Sequence, residues 1–218
     1  MKIAVFDICG TLYDANTTFA FLDDYFVSNK KYQFFRKVSN LFVIKVLNHY
    51  IYKYTKKDII RIVATLFLKN ETTQDVRLYT KEFVHKKLEK KIKLNIYNML
   101  NSYKGKGYTI VLMSGSYEFI IEEVLSYVKA DYFFASQLKM EQERYIGLYE
   151  KDILLSKLEI LKDKFPNISE LIVVSDNKTD LDLMVESNQA FAICNKKKHC
   201  SFWKKNQDKK IKILENYV

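Results

Sequence analysis

Proline occurs once and glycine five times in 218 residues, so a loop-rich or collagen-like chain is excluded and long helices are favoured. Only three cysteines are present, Cys9, Cys194 and Cys200, and their spacing matches neither a disulfide framework nor a metal-binding motif. Long apolar runs are also missing. The longest, Leu41–Tyr54, is interrupted by Lys45, Asn48, His49 and Lys53, too short and too polar to span a bilayer. The amino terminus has no signal-peptide pattern, which makes the cytoplasm the expected compartment. What is plentiful is apolar and basic. Hydrophobic residues make up 48% of the chain, with 16 Tyr and 15 Phe, enough for a core and against global disorder. The net charge is +10, but the lysines are spread along the chain and no nucleic-acid motif accompanies them, so no specific nucleic-acid partner is expected.

Four short apolar runs stand out: Lys2–Asp7, Tyr108–Met113, Leu171–Ser175 and Ala190–Cys194. Each is continuous rather than alternating, as expected of parallel strands buried on both faces, and each leads into a helical pattern. Strand, loop and helix in repetition imply an α/β fold, a doubly wound parallel sheet. Ligands in such sheets bind beyond the carboxyl ends of the strands, so chemistry is expected just after these runs. Between the first two runs the apolar spacing is helical, over Thr17–Val27, Phe34–Tyr54, Lys57–Leu68 and Thr73–Ser102. This reads as an all-helical cap over 15–102, inserted after the first strand of a core formed by 1–14 and 103–218. Tyr132–Leu148 reads as a strand and hairpin turning near Gly147, Asp152–Phe165 as a helix ended by Pro166, and Lys196–Lys210 as a basic surface helix before a last strand, Ile211–Leu214.

Four loops carry the candidate chemistry. In Asp7-Ile8-Cys9-Gly10-Thr11-Leu12 a carboxylate ends a buried strand, where ionisation demands a cation or hydrogen bonds. Such a carboxylate can attack phosphorus, while Gly10 lets the chain turn and aim N–H groups at an anion. Ser114 and Gly115 follow the second run, with a hydroxyl and N–H groups suited to phosphate oxygens; a plain helix cap is the alternative reading. A lysine near the start of the Asp152–Phe165 helix would neutralise a transferring phosphoryl group. Asp176 and Asp180, after the third run, suit a hard cation such as Mg²⁺; an acidic helix start is the alternative.

Together these residues resemble the haloacid dehalogenase superfamily, whose pattern is Asp-x-Asp-Gly-Thr-Leu, then Ser or Thr, then Lys, then Asp-x-x-x-Asp. The helical insertion, VLMSGSYEF and ASQLKMEQERYIG resemble the phosphoserine phosphatase branch. The resemblance implies a Mg²⁺-dependent phosphatase acting on a phosphorylated small molecule. Asp7 would be nucleophile and metal ligand, with the Cys9 carbonyl, Asp176 and Asp180 completing the metal set. Gly10, Thr11, Ser114 and Gly115 would surround the phosphoryl group. Lys157 is the preferred catalytic lysine and Lys151 the alternative. One residue departs from the pattern: Cys9 stands where the family's phosphatases carry the acid–base Asp. A thiol, with a reference pKa of about 8.5, is a poorer proton relay than a carboxylate. Two further readings therefore stay open, a phosphate-binding or regulatory protein weakened at Cys9, and a membrane-surface lipid-phosphate phosphatase using helices over Lys30–Tyr54 for weak membrane contact. Oligomeric state is not legible.

Overall fold

The strands are set by their apolar runs and lie in one seven-stranded sheet of order β4-β3-β2-β1-β5-β6-β7. They are β1 (Lys2–Asp7), β2 (Thr109–Tyr117), β3 (Tyr132–Glu141), β4 (Arg144–Lys151), β5 (Glu170–Ser175), β6 (Gln189–Cys194) and β7 (Ile211–Glu215). All pairs are parallel except the β3–β4 hairpin. This computed structural model describes residues 1–206 and 210–215, so the end of the expected basic helix, 207–209, lies outside the described residues.

Burial on both faces follows from the side-chain alternation of a strand. Ile3, Val5, Val111, Met113, Leu171 and Val173 belong to one apolar cluster with Leu161, Leu183 and Trp203. Their neighbours Ala4, Phe6, Ile110, Leu112, Ile172 and Val174 belong to a second, with Phe21, Leu100 and Ile120. Each fully buried aliphatic or aromatic side chain contributes about 1.5–3 kcal/mol.

The helices between β1 and β2 are α1 (Thr17–Tyr25), α2 (Lys30–Ser39), α3 (Phe42–Thr55), α4 (Ile59–Leu66), α5 (Thr73–Phe83) and α6 (Leu94–Gly105). Asn16, Asn29, Asp58 and Thr72 cap α1, α2, α4 and α5 by accepting N–H groups of the first turn. The stretch Thr73–Ser102 is not one helix. After α5 the chain widens to a π-turn at Val84–Leu88, tightens at Glu89–Lys91 and breaks before α6. Helix α6 packs on β1 and β2, whereas α4 packs on β4. The remaining helices are α7 (Glu118–Val128), α8 (Lys157–Lys164), α9 (Leu181–Glu186) and α10 (Lys197–Lys205).

Two readings need correction. The hairpin turns at Gln142 and Glu143, with φ of 47° and 61°, whereas Gly147 lies inside β4. Its φ of +77° and the backbone of Leu66, 3.0 Å from where a Cβ would stand, explain the glycine. Residues Asp152–Ser156 are not helical, and α8 begins only at Lys157. Among the described residues no helix is long and apolar enough to cross a membrane.

Candidate active site

The sheet register brings the candidate loops to one edge. Asp7 pairs with Met113 and Phe6 with Val174, so Ser114 and Ser175 come beside Asp7 at the same edge of the sheet. Asp7 shares the parity of Ile3 and Val5, and its side chain therefore meets the side where α8 packs. Lys157, the first residue of α8 and 3% exposed, donates to Asp7 Oδ1 at 2.8 Å and to Asp180 Oδ2 at 2.7 Å. Lys151, at the end of β4, is exposed and makes neither contact. Asp180 Oδ2 also accepts the Ser175 hydroxyl at 2.7 Å, while its Oδ1 has no partner among the described residues.

Asp176 meets Asp7 across Thr11. The Thr11 hydroxyl lies 3.2 Å from Asp7 Oδ2 and 3.1 Å from Asp176 Oδ1, and accepts the Asp176 N–H at 2.8 Å. One hydroxyl proton serves one carboxylate at a time, so the pair is left short of positive charge. Burial, reinforced by Asp7, pushes the Asp176 carboxyl up to about 7. Burial likewise raises Asp7 against the pull of Lys157. For Lys157, burial acts downward but Asp180 and Asp7 together outweigh it, holding the ammonium above the ordinary lysine range. Gly10, at φ +74°, is required here, since a Cβ would collide with the Asp176 carboxylate.

The loop N–H groups are committed locally: Gly10 N–H goes to the Ala15 carbonyl and Thr11 N–H to that of Ile8. Ser114 and Gly115 are not at a helix start. They sit in the irregular end of β2, where Ser114 Oγ accepts the Ser116 N–H at 3.2 Å and α7 begins only at Glu118. Cys9 Sγ lies 2.9 Å from Thr17 Oγ1 and 3.8 Å from Ser114 Oγ, and accepts the Thr17 N–H at 3.3 Å. Burial first, and Asp7 second, push the thiol up, so it stays protonated at neutral pH.

Three contributors escape sequence reasoning. Asn195, the first residue after β6, donates to Asp176 Oδ2 at 2.9 Å and to the Gly10 carbonyl at 2.7 Å. Its place at a fourth strand end is a signal that could have found it. Lys93, buried just before α6, donates to the same Gly10 carbonyl at 2.5 Å and to Asn195 Oδ1 at 2.6 Å. Nothing separates it in sequence from neighbouring lysines. Arg61, the sole cation of α4, is 6% exposed, pairs with Asp152 and lies 4.7 Å over the Tyr149 ring. Its Nη1 stands 3.1 Å from where a Cβ on Gly115 would be. Arg61, Tyr149, Asp152 and Leu154 line a cleft of about 560 Å³.

Among the described residues no three His, Cys, Asp or Glu side chains gather as a metal cluster. Mg²⁺ does not require one, because it commonly takes one or two carboxylates and fills its shell with water and substrate oxygens. The oxygen-only donors and the charge deficit between Asp7 and Asp176 fit such a cation.

Lys157 is thus held between Asp7 at the end of β1 and Asp180 in the turn after β5, with Asp176 beside the Gly10 turn. The family model for haloacid dehalogenase-like hydrolase matches residues 4–184, and the chain belongs to that family. It is 26% identical over 104 residues to a phosphoserine phosphatase of Lactococcus lactis subsp. lactis (strain IL1403), covering 45% of this chain and 48% of that protein. The match thus spans about half the length of that relative. A protein of unknown function from Bordetella pertussis Tohama I has the same fold, with TM-score 0.76, 12% identity and coverage of 98% of this chain and 97% of that one. So does a phosphoserine phosphatase solved as a phospho-aspartyl intermediate analogue, at TM-score 0.65, 17% identity, and coverage of 99% and 93%.

Proposed function

We propose that the chain is a Mg²⁺-dependent phosphatase that hydrolyses a phosphomonoester through an aspartyl-phosphate on Asp7. The observation that carries the reading is Lys157 held between Asp7 and Asp180, 2.8 and 2.7 Å away, with Asp176 across the Thr11 hydroxyl. An Asp7 oxygen forms a bond to phosphorus as the ester P–O bond breaks, and the departing oxygen takes a proton from water. A second water then attacks phosphorus and gives up a proton to solvent, the Asp7 O–P bond breaks, and phosphate leaves with the carboxylate restored. Lys157 orients Asp7 and stabilises negative charge on the phosphoryl oxygens. Ser114 and the N–H of Gly115 bind those oxygens, and Gly10 with Thr11 shapes the turn. Asp7, Asp176 and the Cys9 carbonyl would hold Mg²⁺, which when bound neutralises phosphoryl charge. Asp180, engaged by Lys157 and Ser175, orients the lysine and contributes to the metal's surroundings. The helices between β1 and α6 act as a cap that closes over the site and excludes bulk water.

The name of the relatives makes phosphoserine one candidate, and Arg61, paired with Asp152, lies beside Gly115 where a substrate would contact it. A second reading has one observation behind it: the neutral Cys9 thiol, tied to Thr17, supplies no acid–base carboxylate. The chain would then bind phosphate, or stall after phosphorylation, without efficient turnover.

The test is a screen over phosphometabolites with the wild type beside Asp7→Asn. Mg²⁺-dependent release of phosphate by the wild type, lost in Asp7→Asn, is expected. Activity unchanged in the variant would refute the assignment of the nucleophile. A beryllium fluoride adduct on Asp7 without turnover would favour the weakened protein.

A further inference from the structure

Helix α3 has 14 residues and not one of them is buried. Val43, Leu47, Tyr50 and Tyr54 are 73%, 55%, 55% and 77% exposed. Their spacing of four, three and four residues lines them up along one side of the helix. Another side attaches the helix to the fold. There Asn48 donates to Asp58 Oδ1 at 3.0 Å and accepts the Ile60 N–H at 3.2 Å, binding α3 to the start of α4. Among the described residues the four side chains of the outer stripe stay exposed. A contiguous apolar patch of this kind marks a binding surface.

The surrounding charge says which kind. Between Asp24 and Asp58 the chain carries Lys30, Lys31, Arg36, Lys37, Lys45, Lys53, Lys56 and Lys57, and no acidic residue. Arg36 is neutralised by Asp23, 2.9 Å away. The seven lysines are exposed. A second copy of the chain seated on α3 would set seven lysines against seven with no acid between them. A nucleic acid would leave the Val, Leu and Tyr stripe uncovered. An anionic bilayer satisfies both features: apolar and tyrosyl side chains enter the boundary below the headgroups, while lysine stems lie along it with their ammonium groups at lipid phosphates. We propose that the outer face of α3 docks this protein on an anionic lipid surface, the helix lying in the interface plane.

The inference is independent of catalysis, but it has a consequence for the site if the phosphatase reading holds. Lys56 and Lys57, at the carboxyl end of α3, line the same cleft of about 560 Å³ as Arg61. The docked helix would thus end next to that cleft.

The experiment is co-sedimentation of the full chain with vesicles of phosphatidylcholine alone or mixed with phosphatidylglycerol, at low and high salt. Wild type is expected to pellet with the anionic vesicles at low salt and to be released by high salt. The double variant Leu47→Glu, Tyr54→Glu changes only exposed positions and is expected to bind at least about tenfold more weakly, with an unaltered thermal melt. Lys53→Gln, at the flank of the stripe, should weaken binding about fivefold. Asp7→Asn should bind like wild type, which separates docking from the reading of the catalytic site. Wild type left in the supernatant with anionic vesicles at low salt overturns the proposal. So does equal binding by the Leu47→Glu, Tyr54→Glu protein. A lipid-free dimer dissolved by those two substitutions would assign the face to a second copy instead.

Discussion

The carboxyl edge of the sheet and helix α3 violate the ordinary rule of burial in opposite ways. At the sheet edge, Asp7, Lys157, Asp180, Thr11 and Ser114 are charged or polar and almost wholly buried. On α3, Val43, Leu47, Tyr50 and Tyr54 are apolar and in water. Each arrangement opposes folding, and in the two proposals above each is completed by something outside the chain. Under the phosphatase proposal the buried carboxylates, in excess of their bonded cations, receive a metal ion and a phosphoryl group. A bare apolar stripe in a basic field calls for an anionic surface with an apolar interior. The two regions differ in what holds them. The first is locked by hydrogen bonds that cross from strand end to strand end, the second by the Asn48 contacts and its packing on α2 and α4.

That contrast is open to attack, beginning with its most strained element. Lys157→Met removes the cation bonded to both Asp7 and Asp180, leaving two buried carboxylates unpaired. A loss of about 3–5 kcal/mol in denaturant unfolding without Mg²⁺ is expected, together with loss of phosphate release. A conservative change on the α3 stripe, Val43→Thr, should stay within about 0.5 kcal/mol in the same measurement. Comparable losses at both positions would erase the distinction between the regions.

Cys9→Asp tests how complete the site is. General acid–base catalysis supplies about 10²–10⁴-fold, so restoring a carboxyl beside Asp7 should raise steady-state phosphate release by an order of magnitude or more. A rate unchanged or lowered would mean that Thr17 and Ser114, or the substrate, already serve the proton. The smallest effect concerns pH. Asp176 is raised to about 7 in the metal-free protein, so below that pH a proton competes with the cation for it. Apparent Mg²⁺ affinity measured by calorimetry should therefore rise with pH up to about 7, by at most about tenfold per unit for one proton displaced, and level off above it. Affinity flat across this window would exclude Asp176 from the metal's ligands.

Much of the sheet was legible because a parallel strand buried on both faces must be apolar without interruption, and four such runs end at residues able to do chemistry. Less was legible where backbone conformation departs from residue preference. Gln142 and Glu143 turn the hairpin with positive φ at both positions, a geometry that Asn and Gly normally signal. Gly147 advertises a turn and instead admits the backbone of Leu66 to β4. Asp152 looks like a helix start, yet its Oδ1 accepts from the Ser136 hydroxyl and the Leu154 N–H, delaying α8 until Lys157.

Taken alone, the order of residues along the chain determined the α/β class, the strand ends where chemistry gathers, and the identity of Asp7, Asp176 and Asp180 as candidate groups. Periodicity and local chemistry suffice for these, since each depends on near neighbours. Only the tertiary structure set Lys157 rather than Lys151 against Asp7, brought Lys93 and Asn195 to the Gly10 carbonyl, set Arg61 beside Gly115 and left α3 with no buried residue. Those outcomes are distances between residues far apart in the chain. They are set by how helices pack on a sheet, and no local pattern encodes them.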